Sequence, residues 1–223
     1  MNKDKTEQMN FGDAFSVFFQ RNRKVIFISF ILVAAGIIFL ISFFAIRNVM
    51  ERNAIAAVET LEQKKNNLGT IDSSNNTPEV QALIDELITF GHSTFGYAAA
   101  RAFYIAGDIY FSIDQWAKAE ETWLISAEKA SRFYLAPFSY FNAAIAAEEQ
   151  GKLENALEYY NRSLTFSGVF PAAARARFNI GRIHEERNEK EKAAEAYRLL
   201  IEIIPNSNWA KLAHNRIIFI ESN

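Results

Sequence analysis

The chain has 223 residues, half of them hydrophobic and 20 of them Phe, which is enough for a good-sized core plus a tail. Its 24 basic and 26 acidic side chains leave a net charge of -2, so there is no broad basic field for nucleic acid. With no cysteine, a disulfide framework, a zinc–thiolate site and a lipid-bearing cysteine are excluded.

In chain order, the first element is "NFGDAFSVFFQRNRK" (Asn10 to Lys24), where Phe11, Phe15, Phe18 and Phe19 share one helical face and Asn10 is placed to cap. It reads either as an interfacial helix leading into a span or as a docking face for a membrane partner. Val25 to Ile46 follow, 22 residues without a charge. At ~1.5 Å per residue that helix is ~33 Å long, which matches a ~30 Å hydrocarbon core. It has no polar face, unlike the core helix of a soluble domain. It is longer than the apolar region of a signal peptide and lacks a nearby cleavage site, so an uncleaved anchor is expected. Arg21, Arg23 and Lys24 crowd its N-terminal side, with Lys3 and Lys5 behind, against Arg47, Arg52, Lys64 and Lys65 beyond it. The positive-inside rule then favours a cytoplasmic N-terminus and an extracytoplasmic C-terminal part.

Asn48 to Lys65 carries Val49, Ala54, Ile55, Ala57, Val58 and Leu61 at helical spacing. Asn66 to Pro78 is polar and turn-rich. Thr77-Pro78-Glu79 is a helix start, with a capping hydroxyl and a proline in the first turn. Gly91 and Gly96 punctuate what comes after.

From there the chain repeats every 37 residues. Gly107, Ala144 and Gly181 form one column, and Ala119, Ala156 and Ala193 a second. Asp114, Gly151 and Asn188 form a third, and Trp123, Tyr160 and Tyr197 a fourth. The first two columns predict a helical hairpin closed through small residues. The third supplies residue types that tolerate the left-handed conformation ending a helix. The fourth supplies wedges against the neighbouring hairpin, each burying ~150–250 Å² and contributing several kcal/mol at ~25 cal/mol per Å².

These columns resemble the tetratricopeptide repeat, W-x2-L-G-x2-Y then A-x3-F then P. The copies read Phe103, Ala106, Gly107, Tyr110, Ala119, Trp123; then Tyr140, Ala143, Ala144, Ala147, Ala156, Tyr160; then Arg177, Ile180, Gly181, His184, Ala193, Tyr197, Pro205. The third departs most, with Arg177 and His184 where aromatics are usual. The period exceeds the usual 34, so three extra residues lengthen the second helix or its exit. Ala82 lies 37 before Ala119, which makes the helix from Glu79 the second half of a degenerate leading repeat paired with Asn48 to Lys65. Asn208 to Ile220, with Trp209, Leu212, Ala213, Ile217 and Ile218, reads as a closing helix.

The fold class is therefore all-α, an N-terminal transmembrane helix followed by an α-solenoid of tetratricopeptide-like hairpins: about three repeats, a degenerate leading pair and a closing helix. The expected divisions are 1–24, a cytoplasmic amphipathic segment; 25–46, the span; 47–96, the leading helices and loop; and 97–223, the repeats with their cap. The order of parts, including "FFQRNRK" and "TFGYAAARAFYIAGDIYFSIDQWAKAEETW", also resembles the ancillary subunit family of the bacterial Sec translocon. That resemblance implies a single-pass inner-membrane protein whose repeat domain faces the periplasm. Its implied partners are the translocon, a periplasmic chaperone or secretory polypeptides.

In a stack of such hairpins the first helices line a concave groove. Its positions here are Arg101, Tyr104 and Asp108; Phe138, Phe141 and Ile145; and Arg175, Phe178 and Arg182. An apolar centre edged by charge suits an extended or helical segment with exposed hydrophobes. The other reading is that Phe138, Phe141 and Phe178 pack against the leading or closing helix. Asn142 and Arg175 match part of the carboxylate clamp of some repeat domains, but Tyr104, Asp108 and Asn179 stand where its other members belong. No ligand ending in a free carboxylate is expected.

His92, His184 and His214 lack metal-ligand spacing, and there is no phosphate loop or nucleophile elbow. The pairs Glu148-Glu149 and Glu185-Glu186 read as solvated helix faces. Neither an enzyme nor a cofactor is expected, and neither is a metal or small-molecule substrate. The leading function is a membrane-anchored protein–protein interaction adaptor at the translocon; the alternative is a structural scaffold of the envelope, in division or outer-membrane assembly.

Overall fold

A computed structural model describes residues 11–130, 134–166 and 170–222, with the backbone alone at 11–15, 17 and 75. The expected cap at Asn10 lies outside the described residues, as do the side chains of Phe11 and Phe15. Among the described residues the regular structure is helical throughout: α1 (Phe11–Asn67), a 3-10 turn (Ser73–Asn75), α2 (Pro78–Ser93), α3 (Gly96–Ser112), α4 (Trp116–Lys129), α5 (Leu135–Glu149), α6 (Leu153–Leu164), α7 (Ala173–Glu186), α8 (Lys190–Ile203) and α9 (Asn208–Ser222). The chain forms two compact units, Met1–Arg52 and Asn53–Asn223. α1 contributes to both.

In the first unit, Val25 to Ile46 are helical, and Phe27, Phe30, Leu32, Ile38 and Phe39 are exposed. The helix is long and apolar enough to cross a membrane, with none of its most apolar window buried. It is therefore not a core helix of the described fold.

The second unit begins with the last turns of α1. Val58 and Leu61 pack with Val80, Leu83, Ile84 and Leu87 of α2 and with Ala98, Ala102 and Ile105 of α3. Thr77 caps α2 as expected, its hydroxyl accepting from the Val80 amide, with Pro78 in the first turn. The polar connection before it holds a 3-10 turn pinned by Asp72, which accepts from the Ser74 amide at 2.9 Å. Gly91 is not punctuation but an interior residue of α2, where an added Cβ would stand 2.6 Å from the Phe103 ring.

Three hairpins follow, α3–α4, α5–α6 and α7–α8. Each turn repeats at the 37-residue step. Asp114, Gly151 and Asn188 have φ of 59°, 70° and 57°. The amides of Gln115, Lys152 and Glu189 donate back to the carbonyls of Tyr110, Ala147 and His184 at 2.9, 2.9 and 2.8 Å. This is the six-to-one bond of a left-handed helix stop, and the column predicted from residue type is the one that adopts it. The extra residues lie at the hairpin exits, between α4 and α5 and between α6 and α7.

The wedges are buried, but they do more than meet the next hairpin. An added Cβ on Gly107 would lie 2.7 Å from the Trp123 ring, and one on Gly181 would collide with the Tyr197 ring. The small residue on the first helix therefore admits the aromatic ring of its own hairpin, rather than the backbone of the second helix. Trp123 then continues to Ala143 and Ala146 of α5, and Tyr160 to Ala173 and Ala176 of α7. Between the first two hairpins the buried Glu120 accepts from Lys152 at 2.9 Å, Gln150 at 2.8 Å and Tyr159 at 3.2 Å. Burial pushes its carboxyl up, but the Lys152 and Gln150 hydrogen bonds outweigh that and hold it below the ordinary value.

α9 buries Ala210, Ala213 and Ile217 against the last hairpin, while Leu212, Ile218 and Phe219 stay exposed. It closes the core without presenting the wholly polar outer face of a usual terminal cap.

Candidate partner-binding site

The face expected to form the groove is built by helices that run parallel. Glu62 and Lys65 of α1 pair with Arg101 and Asp108 of α3, so the contacts advance together along both helices. Tyr104 and Asn142 then link α3 to α5, and Phe141 and Arg175 link α5 to α7. Arg182 of α7 pairs with Glu148 of α5, and Arg216 of α9 with Glu185 of α7.

This ladder determines what each expected groove residue does. Arg101 is engaged by Glu62 and also lies over the Tyr104 ring, 5.6 Å from its centroid. The Tyr104 hydroxyl accepts from Asn142 at 3.0 Å, and burial pushes its pKa up to about 12. Asp108 stands 3.6 Å from Lys65. Burial raises its carboxyl despite the opposing Lys65 and Arg101 charges. Phe138 meets Phe170 edge-on at 5.3 Å, and Phe141 is buried against Tyr160 and Phe170. Ile145 is half-buried above the same cluster. Phe178 sits between Tyr197 and Trp209, at 5.4 and 5.2 Å. So Arg101 and Asp108 engage the leading helix and Phe178 the closing helix, while Phe141 is buried among the rings beside it.

Arg175 differs from the other two groove arginines. It is exposed, and its guanidinium lies 5.3 Å from the Phe141 ring centroid and 5.9 Å from that of Trp209. Two rings hold a cation in place at the middle of the face. Asn142, which matches the clamp pattern, donates to Tyr104, and Asn179, which stands where another clamp member belongs, donates to the Tyr160 hydroxyl at 2.8 Å.

Two open clefts flank these residues. One of about 340 Å³ is lined by Lys65, Asp108, Ser112, Trp123, Asn142 and Ile145 among others. The other, of about 580 Å³, is lined by Phe178, Arg182, Glu186, Lys190, Arg216 and Phe219 among others. Both mix apolar walls with charge of either sign, a surface suited to a polypeptide segment.

The acidic pairs expected at solvated faces divide. Glu149 and Glu186 are exposed, whereas Glu148 and Glu185 are largely buried. Tyr160 donates to Glu148 and Tyr197 donates to Glu185, the latter at 2.6 Å. Arg216 binds Glu185 through two bonds of 2.9 and 2.6 Å. Burial pushes the Glu185 carboxyl up, but Arg216 and Tyr197 together hold it below the ordinary value. The wedge hydroxyl, a glutamate and the next helix's arginine form a repeated polar link between hairpins.

Parallel first helices and left-handed stops at a fixed step define an α-solenoid of helical hairpins. Residues 141–208 match the tetratricopeptide repeat family. A "TPR repeat-containing protein" of Treponema pallidum (strain Nichols) is 40% identical over 126 residues, which is 56% of this chain and 52% of the relative. The chain thus spans about half the length of that relative. A solved set of nearly identical TPR-like repeats, described as a putative kinesin light chain of Podosopora anserina, superposes with a TM-score of 0.51 at 11% identity, covering 77% of this chain and 85% of its own. A variant of those same repeats gives 0.52 at 10% identity, covering 77% and 84%. At those identities the two structures bear on the fold alone. Residues 141–208 are thus similar to tetratricopeptide repeats, and the fold around them is a solenoid of the same kind.

Proposed function

We propose that this chain is a membrane-anchored adaptor that holds a protein partner on the concave face of its repeats. The observation that carries the reading is the face of α5 and α7, where Arg175 stands exposed over the Phe141 and Trp209 rings and Ile145 and Phe138 lie half-buried on the cluster that holds Phe141. A partner segment placing a carboxylate on Arg175 and apolar side chains over Ile145 and Phe138 satisfies that surface. The apolar helix from Val25 to Ile46 is the anchor, and the charge bias across it favours repeats outside the cytoplasm.

The order of parts further supports a place beside the bacterial Sec translocon in the inner membrane, with translocon components, a periplasmic chaperone or emerging polypeptides as partners. Affinity purification of the full chain in mild detergent tests this. Recovery of those proteins, with loss of the same proteins from an Arg175→Glu/Ile145→Glu variant of unchanged thermal midpoint, is the expected result. Equal recovery by both forms removes the concave face from the interaction. Stable recovery of division or outer-membrane assembly machinery in place of secretory components shifts the role to an envelope scaffold.

A further inference from the structure

Arg175 is a cation without an acid. Among the described residues of α3 to α9, Arg101, Arg162, Arg182, Arg187, Arg198 and Arg216 each pair with a carboxylate. Arg177 and Arg175 do not, and of those two Arg177 is half-buried while Arg175 is exposed. A long side chain alone in water samples many rotamers. Two rings restrain this one. Its guanidinium carbon lies 5.3 Å from the Phe141 ring centroid and 5.9 Å from that of Trp209. Phe141 belongs to α5 and Trp209 to α9, so the bracket around Arg175 joins three helices.

The repeat pattern does not ask for an indole at this place. Ala98, Leu135 and Ala172 precede Trp209 at the 37-residue step, and Ala98 and Leu135 are buried with far smaller side chains. Trp209 is nevertheless firmly seated. The Ser207 hydroxyl accepts from the Ala210 amide at 3.0 Å and so caps the first turn of α9, where Trp209 lies. Its ring rests on Phe178 at 5.2 Å and is half-buried there. One ring thus ties α9 to the core and also reaches the one exposed arginine of this unit that has no acid.

We propose that α9 is part of the partner-binding site and not only the end of the stack: Trp209 is a positioning residue that, with Phe141, holds Arg175 ready for an aspartate or glutamate side chain of the bound polypeptide. A ring attracts a cation but offers no strong hydrogen-bond acceptor, so the N–H donors of the guanidinium remain open to a carboxylate. An arginine ordered in advance gives up less freedom when that carboxylate arrives. The acid lies within the bound segment, because Arg175 lacks the companions that would hold a chain end. The inference rests on the partner-binding reading above.

Two measurements on the full chain test it. Trp209→Met keeps apolar bulk on Phe178 but removes the ring, whereas Trp209→Phe keeps a ring. The first measurement follows the Arg175 Nε–H signal by nuclear magnetic resonance of the arginine-labelled chain in phosphatidylcholine nanodiscs, assigned by its loss in Arg175→Gln. The expected result is a restrained signal in the natural chain and in Trp209→Phe, and a mobile one in Trp209→Met. Equal restraint in all three overturns the inference. The second counts partner adducts in cells from a photoreactive residue at Ile145. Adducts should fall several-fold in Trp209→Met, persist in Trp209→Phe, and fall no further when Trp209→Met is added to Arg175→Gln. A further fall in that double variant, or a fall that accompanies a lowered thermal midpoint, assigns Trp209 to the fold and overturns the inference. Adducts lost with Arg175→Gln but unchanged by Trp209→Met overturn the role of Trp209 and leave the partner-binding reading intact. Adducts unchanged by Arg175→Gln, or absent from the natural chain, overturn that reading and the inference with it.

Discussion

Gly107 has no space for a side chain because the Trp123 ring already occupies it, 2.7 Å from where a Cβ would stand. Gly107→Leu must push that ring off its seat, and an overpacking cost of ~1–3 kcal/mol is expected as a lowered thermal midpoint. An unchanged midpoint would show that the ring moves freely. The middle copy has Ala144 in the same column, with Tyr160 still buried, so Gly107→Ala should cost less than Gly107→Leu. The turn column gives a second prediction. Asn188 sits at φ 57°, where a β-branched residue is strained and glycine is not. Asn188→Val should lower chemical-denaturation stability by ~1–2 kcal/mol, while Asn188→Gly leaves it unchanged or raised. The positive φ at these turns was legible in the sequence because Asp, Gly and Asn share one step. The seat of the ring was not, because a column of small residues fits both a close helix and an admitted aromatic.

At the scale of the element, α9 is tied to the last hairpin by the Arg216–Glu185 pair and by Ala213 and Ile217 in the core. The folded Glu185 carboxyl lies below its ordinary value of 4.5, so its contribution is complete above that pH and is lost as pH falls through the lower folded value. Arg216→Ala leaves burial opposed by Tyr197 alone and raises the folded carboxyl. The acid-unfolding midpoint followed by circular dichroism should therefore move to higher pH. A midpoint that does not move contradicts the assignment of Arg216 as the holder of Glu185. This link was hidden in the sequence. Its column holds Glu148 and Glu185, but Phe111 fills the first copy, and the arginines recur at 34 residues rather than 37. Adjacent acidic pairs look solvated until one member of each is seen to accept from a buried tyrosine.

At the scale of the whole molecule, the apolar run, the three hairpins, the leading pair and the closing helix were all legible, since each rests on periodicity or on a run without charge. The state of the groove was not. Arg101 and Asp108 are taken up by Glu62 and Lys65, which lie in a leading helix without motif residues, so nothing in the repeat pattern marks them as partners. The proposed partner contact is therefore confined to the middle of the face. Site-specific photocrosslinking in cells, from the full chain with a photoreactive residue at Ile145 or Arg175 and at the exposed Glu158 and Glu195 outside the groove, measures this most directly. Discrete adducts with translocon, chaperone or secretory chains from 145 and 175, and none from 158 and 195, are the predicted result. The same adducts from all four positions, or none from 145 and 175, would contradict the concave face as the partner-binding surface.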